Sequence, residues 1–143
     1  MTTEENKACQ RRIVEEVINK GNTAVAEELV ANDFVNLNAA PGWEQGRAGF
    51  LANVARLRTA FPDMEWTLDE QVAEGDKVAC HVVWRGTHQG EFLGIPATGK
   101  QVEVAVTSFD SFVAGQCTGG RLFMDTMSLM QQLGAVPAPG QAS

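Results

Sequence analysis

The run Val102–Phe112, VEVAVTSFDSF, sets a hydroxyl and a carboxyl among apolar residues at strand spacing. Successive strand side chains alternate between faces, so Val102, Val104, Val106, Ser108, Asp110 and Phe112 share one face. Three valines and a phenylalanine mark it as the inward face. A carboxyl turned into an apolar cavity is desolvated, which disfavours its charge and raises its pKa. Asp110 can then hold a proton near neutrality and act as general acid or base. The competing reading is a strand that twists outward near its end, with Asp110 solvated or capping the turn at Ala114–Gln116. Asp125 is the second candidate acid, either in the same cavity or tied to a donor such as Arg121. Four residues of regular strand span about 13 Å, so those two need a bulge to touch.

Other groups are candidate substrate contacts around these acids. Ser108 and Arg121 stand near them in sequence. Asn36, with Asn38, flanks a strand-like turn where an amide can orient a carbonyl, although Asn also suits loops for its backbone tolerance. His88 shares a face with Val82 and Trp84 and is either a cavity donor or a residue that shapes a hairpin. Trp84 is a candidate ligand stacker, and Trp66 and Trp84 alike are large aromatics that more often build core. His81 lies on the opposite face from His88, so the two histidines do not share a metal. Cys9, Cys80 and Cys117 are far apart and form no CxxC, which reads as reduced, buried filler. The sequence GIPATGKQ, Gly94–Gln101, imitates a phosphate loop, but Gln101 stands where Ser or Thr must hold magnesium and a strand follows where a helix is required. It reads as a hairpin. There is no strand-GxGxxG-helix unit, HExxH or GxSxG, so no cofactor and no metal are expected. The chain also has no tyrosine, which removes the phenol of the known Tyr-plus-carboxylic-acid enolate site.

These residues need elements to position them. With 143 residues, 44% of them hydrophobic, the chain suits one domain, 1–143, with loose tails at about 1–4 and 137–143. A net charge of −7 opposes nucleic acid and anionic membranes as partners. The start MTTEENKACQRR has no apolar run behind a basic stretch, and no segment approaches a membrane span, so a cytoplasmic location is expected. A Thr2-x-x-Glu5 capping box opens a helix carrying Cys9, Ile13 and Val17, and Gly21 ends it. Asn22 caps a second, short helix. A brief extended piece follows at Phe34–Leu37, then a third helix from about Gly46 with Phe50, Val54, Leu57 and Phe61, stopped by Pro62. From Met64 the period becomes two. Trp66 and Leu68 lead to a hairpin turn at Glu74–Lys77, and strands follow through Val78–Trp84, Val102–Phe112 and Cys117 to about Met127. Helices first and antiparallel strands afterwards give an α+β domain, helices on one face of a curved sheet that encloses a pocket.

Three stretches carry a resemblance to a family: NKACQRRIVEEVINKGNTAVAEELVANDFVN (Asn6–Asn36), VAEGDKVACHVVWRGTHQGEFLGIPATGKQVEV (Val72–Val104) and MDTMSLMQQLGAVP (Met124–Pro137). The chain resembles the SnoaL-like polyketide cyclases, within the cone-shaped nuclear transport factor 2-like α+β fold. The resemblance implies a polyketide-like small-molecule substrate, ring closure by intramolecular aldol condensation without cofactor or metal, and a homodimer or homotetramer. It also implies a catalytic His on the penultimate strand and a catalytic Asp on the last. Ser108 and Leu122 stand at those positions here, which makes Leu122 a further lining candidate and Asp110, two residues beyond Ser108, a relocated acid. A changed reaction (hydroxylase, hydratase or epoxide opening) and a non-catalytic small-molecule binder are the alternatives.

Overall fold

A computed structural model of the chain describes residues 2–137. The Thr2 hydroxyl accepts a hydrogen bond from the Glu5 amide at 3.1 Å, the expected cap, and starts α1 (Thr3–Arg12). Residues 2–4 thus open a helix where a loose tail was expected. Residue 1 and positions 138–143 of the expected tails lie outside the described residues. The helix runs on through a π-helical turn, Ile13–Ile18, and ends near Gly21, whose φ of +67° suits a residue without Cβ. Asn22 caps α2 (Thr23–Leu29), its side chain accepting from the Val25 amide at 3.2 Å. The expected extended piece is longer and earlier than read: β1 is Val30–Asn36, because it leaves α2 directly to pair with the last strand. Next comes α3, Gly46–Ala60, ahead of Pro62.

The remaining strands are β2 (Glu65–Glu74), β3 (Lys77–Thr87), β4 (Gln101–Val113) and β5 (Gln116–Met124). They form one sheet in the order β1-β5-β4-β3-β2, with β1 parallel to β5 and every other pair antiparallel. The Glu74–Lys77 hairpin turn is as expected. A fourth helix, α4 (Thr126–Leu133), follows where the last strand was expected to run on to Met127. Its signals are local: the Asp125 carboxylate accepts from the Ser128 amide at 3.1 Å, and Gly134 takes the left-handed C-terminal conformation. Among the described residues no helix is long and apolar enough to cross a membrane.

Helices pack on the inner face of the sheet, over a core that includes Phe61, Trp66, Trp84, Val104 and Leu129 and a second cluster with Cys9, Val17, Val78 and Phe112. Two register shifts decide which residues face inward. In β2, Leu68 pairs with Val82 but Glu70 with His81, so one extra residue turns the strand over. Trp66 and Leu68 point in before the bulge; after it Gln71, opposite inward Cys80, is half-buried and Val72 is 63% exposed. In β5, Cys117 pairs with Phe112 but Gly119 with Ser111. The phase changes again, which sets Gly120 and Leu122 opposite the inward residues Asp110 and Ser108.

Candidate functional site

Between α1, α3 and the inner face of the sheet lies a cavity of about 1180 Å³. Its walls include Val14 from the first helix, Phe50 and Leu57 from α3, and Trp66, Val82 and Val106 from the sheet. Asp110 opens onto this space, as the β4 alternation requires, and so does Ser108. Both carboxylate oxygens are engaged: Oδ1 accepts from the Ser108 hydroxyl at 2.7 Å, and Oδ2 from Gln10 Nε2 at 2.9 Å. Burial pushes the Asp110 pKa upward; the hydrogen bonds from Gln10 and Ser108 favour the ion and hold it back. Room for the carboxyl comes from Gly120, directly across the β4–β5 ladder, where a Cβ would collide with Oδ1.

The other expected residues divide. Ser108, Asn36 and Leu122 line the cavity with Asp110. Arg121 also lines the cavity, but it pairs with exposed Phe109 across the ladder and is itself exposed. Three candidates belong elsewhere. Asp125 is exposed at the N-terminus of α4, where its carboxylate satisfies a helix amide, because the strand ends before it. Trp84 is completely buried and packs edge-on to Phe61, their ring centroids 4.9 Å apart, so it is core. His88 is also fully buried, stacked on Phe61 at 5.3 Å. Its Nδ1 accepts from the Thr98 amide at 3.2 Å, which ties the Gly94–Gln101 connection to β3. The His88 amide donates to the Lys100 carbonyl at 2.9 Å and the Gly99 amide to the His88 carbonyl at 2.8 Å, the backbone pairing of a hairpin in place of a phosphate loop. His81 is on the outer face, 2.8 Å from Asp69.

Further residues complete the site. Gln10, on the first helix, is 2% exposed and was not singled out, because one Gln in an amphipathic helix carries no pattern signal. Asn38 mimics a strand residue: its Nδ2 donates to the Leu122 carbonyl at 2.9 Å, and its Oδ1 accepts from the Leu122 amide at 3.2 Å. The amide expected beside Asn36 to orient a carbonyl is instead spent on the backbone of β5. At the exposed rim, the Arg56 guanidinium lies 4.9 Å from the Trp43 ring centroid. Cys9, Cys80 and Cys117 are free and buried as expected. Burial drives the Cys9 thiol up to about 11, Cys80 to about 12 and Cys117 also upward, so all three are neutral; Cys80 and Cys117 line the cavity and Cys9 packs in the second core cluster. Among the described residues no group of three or more His, Cys, Asp or Glu is placed to hold a metal ion.

Residues 8–133 match the family model of the SnoaL-like polyketide cyclases. Among curated proteins none matches the sequence. Among solved structures, TsrD from Streptomyces laurentii is 26% identical with a TM-score of 0.87, covering 95% of this chain and 99% of TsrD. IdmH from Streptomyces antibioticus, provisionally described as a polyketide cyclase, is 28% identical with a TM-score of 0.78, over 90% of this chain and 98% of IdmH. AclR from Streptomyces galilaeus, provisionally described as a hydroxylase, is 25% identical with a TM-score of 0.83, over 98% of this chain and 87% of AclR. The shared architecture is the nuclear transport factor 2-like cone.

Proposed function

The chain belongs to the SnoaL-like polyketide cyclase family, and from that premise we propose that it is a natural-product enzyme that performs general acid/base chemistry on a polyketide-like substrate with Asp110 and without a cofactor. The observation that carries this reading is a carboxylate with a burial-raised pKa, held by two uncharged donors and open to a large apolar cavity. A raised pKa makes the ion a stronger base. In a cyclisation, ionised Asp110 takes the proton from a carbon between two carbonyls. The resulting enolate carbon bonds to a third carbonyl carbon of the same molecule, and Asp110 returns the proton to the new alkoxide. Such assistance is worth about 10²- to 10⁴-fold, or roughly 3–5 kcal/mol of barrier. The same acid serves a hydration or an epoxide opening, both redox-neutral steps that need only a proton donor and acceptor. Asn36 and Leu122 contact the substrate in this reading, and Ser108 touches both substrate and acid.

A binder without turnover is the second reading, supported by Ser108 and Leu122 standing where the family's acid/base pair is expected. The exposed outer-face residues Phe109, Val113 and Phe123 support a homodimer or homotetramer. Asp110→Asn tests the function: turnover of an activated 1,3-dicarbonyl polyketide should fall by about 10²-fold or more, while its binding, followed by tryptophan fluorescence, is retained. Full turnover in the variant would remove Asp110 from the chemistry and favour the binder.

A further inference from the structure

Asp110 terminates a chain of side-chain amides whose direction is set by groups that cannot reverse. The Lys7 carbonyl only accepts, and Gln71 Nε2 donates to it at 2.9 Å. The same nitrogen donates to Gln10 Oε1 at 2.9 Å, and Gln71 Oε1 faces a donor, Arg11 Nη2, at 3.4 Å. Gln10 must then turn its Nε2 toward the Val78 carbonyl at 3.3 Å, another pure acceptor, and toward Asp110 Oδ2 at 2.9 Å. Each amide spends both N–H bonds, and flipping either sets oxygen against a carbonyl. The bulge in β2 is what brings Gln71 to the inner face.

The second oxygen of Asp110 has a different kind of neighbour. Oδ1 meets the Ser108 hydroxyl at 2.7 Å, and a hydroxyl can donate or turn and accept. Gly120, which lines the cavity, leaves the space beside Oδ1 clear of side chain. Resting on the acid/base reading above, we propose that Gln71 and Gln10 are positioning residues that hold Oδ2 of Asp110 as a permanent acceptor and confine the exchangeable proton to Oδ1 and the Ser108 hydroxyl beside it. When Asp110 is ionised, Ser108 donates to Oδ1. When Asp110 has taken one proton, Oδ1 donates to Ser108 Oγ and the serine hydrogen turns toward the cavity. The proton leaves by the reverse exchange, and the count of protons on the pair changes by one. Cys9 on the first helix, Cys80 on β3 and Cys117 on β5 couple electrostatically to Asp110, and burial keeps all three as neutral thiols. Arg12 and Glu28 act on Cys9, and Asp69 on Cys80.

The experiment follows the Asp110 ¹³Cγ shift with pH in the substrate-free protein. Gln71→Glu replaces the donor toward Gln10 with an acceptor, turns the Gln10 amide, and should raise the Asp110 midpoint by about one pH unit or more, tenfold in proton affinity. Gln71→Met, without added charge, should raise it by less; a pure charge effect would leave this variant at the wild-type midpoint. In wild type, the Gln10 side-chain ¹⁵N–¹H signals should titrate with the Asp110 midpoint, a readout that decides the matter even if neither variant folds. Unmoved midpoints in both folded variants, or Gln10 signals blind to the titration, would overturn the assignment. Because nothing here depends on turnover, full activity of Asp110→Asn would sink the acid/base reading while leaving this coupling measurable.

Discussion

Asp110→Asn should change how stability depends on pH, and the sign follows from the site. Asn fits the same network: its oxygen takes the place of Oδ2 and accepts from Gln10, while its NH₂ takes the place of Oδ1 and donates to a reversed Ser108 hydroxyl. It therefore copies the protonated acid and cannot ionise. In wild type, burial raises the folded pKa above the unfolded value, so between the two the native state binds more protons than the unfolded state. Stability from this group is fully present below the unfolded value, near 3.9 for an aspartate, and is lost as pH rises through the folded value. The measurement is urea unfolding of both proteins at matched pH, since all other carboxylates cancel in the difference. Wild type minus variant should be level at low pH, then fall with a limiting slope of about 1.4 kcal/mol per pH unit for one proton, then level again. A difference that is flat throughout, or that rises with pH, would refute the claim that burial outweighs the two hydrogen bonds at Asp110.

Gly120→Ala should put a methyl group onto Asp110 Oδ1 and 2.5 Å from the Phe109 carbonyl oxygen; a loss of about 1–3 kcal/mol in urea unfolding, with turnover reduced alongside, is expected for such overpacking. Asp125→Asn should keep the α4 cap, with stability and turnover near wild type, whereas Asp125→Ala should cost about 1 kcal/mol in thermal or urea unfolding without touching the chemistry. Sedimentation at micromolar concentration should show a species heavier than the 15.4 kDa chain, and substitution of Phe109 and Phe123 by Ser should lower it toward that mass; a single light species in wild type would end the oligomer proposal.

Much of the fold was legible because its signals are short-range. The capping box at Thr2, the change of period at Met64 and the Glu74–Lys77 turn each reside in a few adjacent residues, and the structure has an element boundary at or beside each. The unbroken alternation of β4 was enough to turn Asp110 inward. Helix α4 was missed although Asp125, Ser128 and Gly134 are equally local, because apolar residues continuing from β5 read as more strand. The same reading lent Asp125 a place in the cavity that it does not have. Trp84 and His88 show the opposite difficulty: facing the sheet's apolar side is readable, but whether a ligand or Phe61 fills that side depends on helix packing.

The sequence by itself thus determined the α+β class from its periodicity, and its likeness over three long stretches determined the family; for Asp110 it offered the inward face and left the outward twist open. Tertiary structure alone decided what Asp110 touches. Gln10 is 100 residues from Asp110 and 61 from Gln71, and the arrival of Gln71 at Gln10 depends on one extra residue in β2, which reverses that strand's faces beyond Leu68. A bulge is a mismatch between two paired strands, so no single strand carries its mark. Its consequence, two amides lined up on a buried acid, exists only after the register is set.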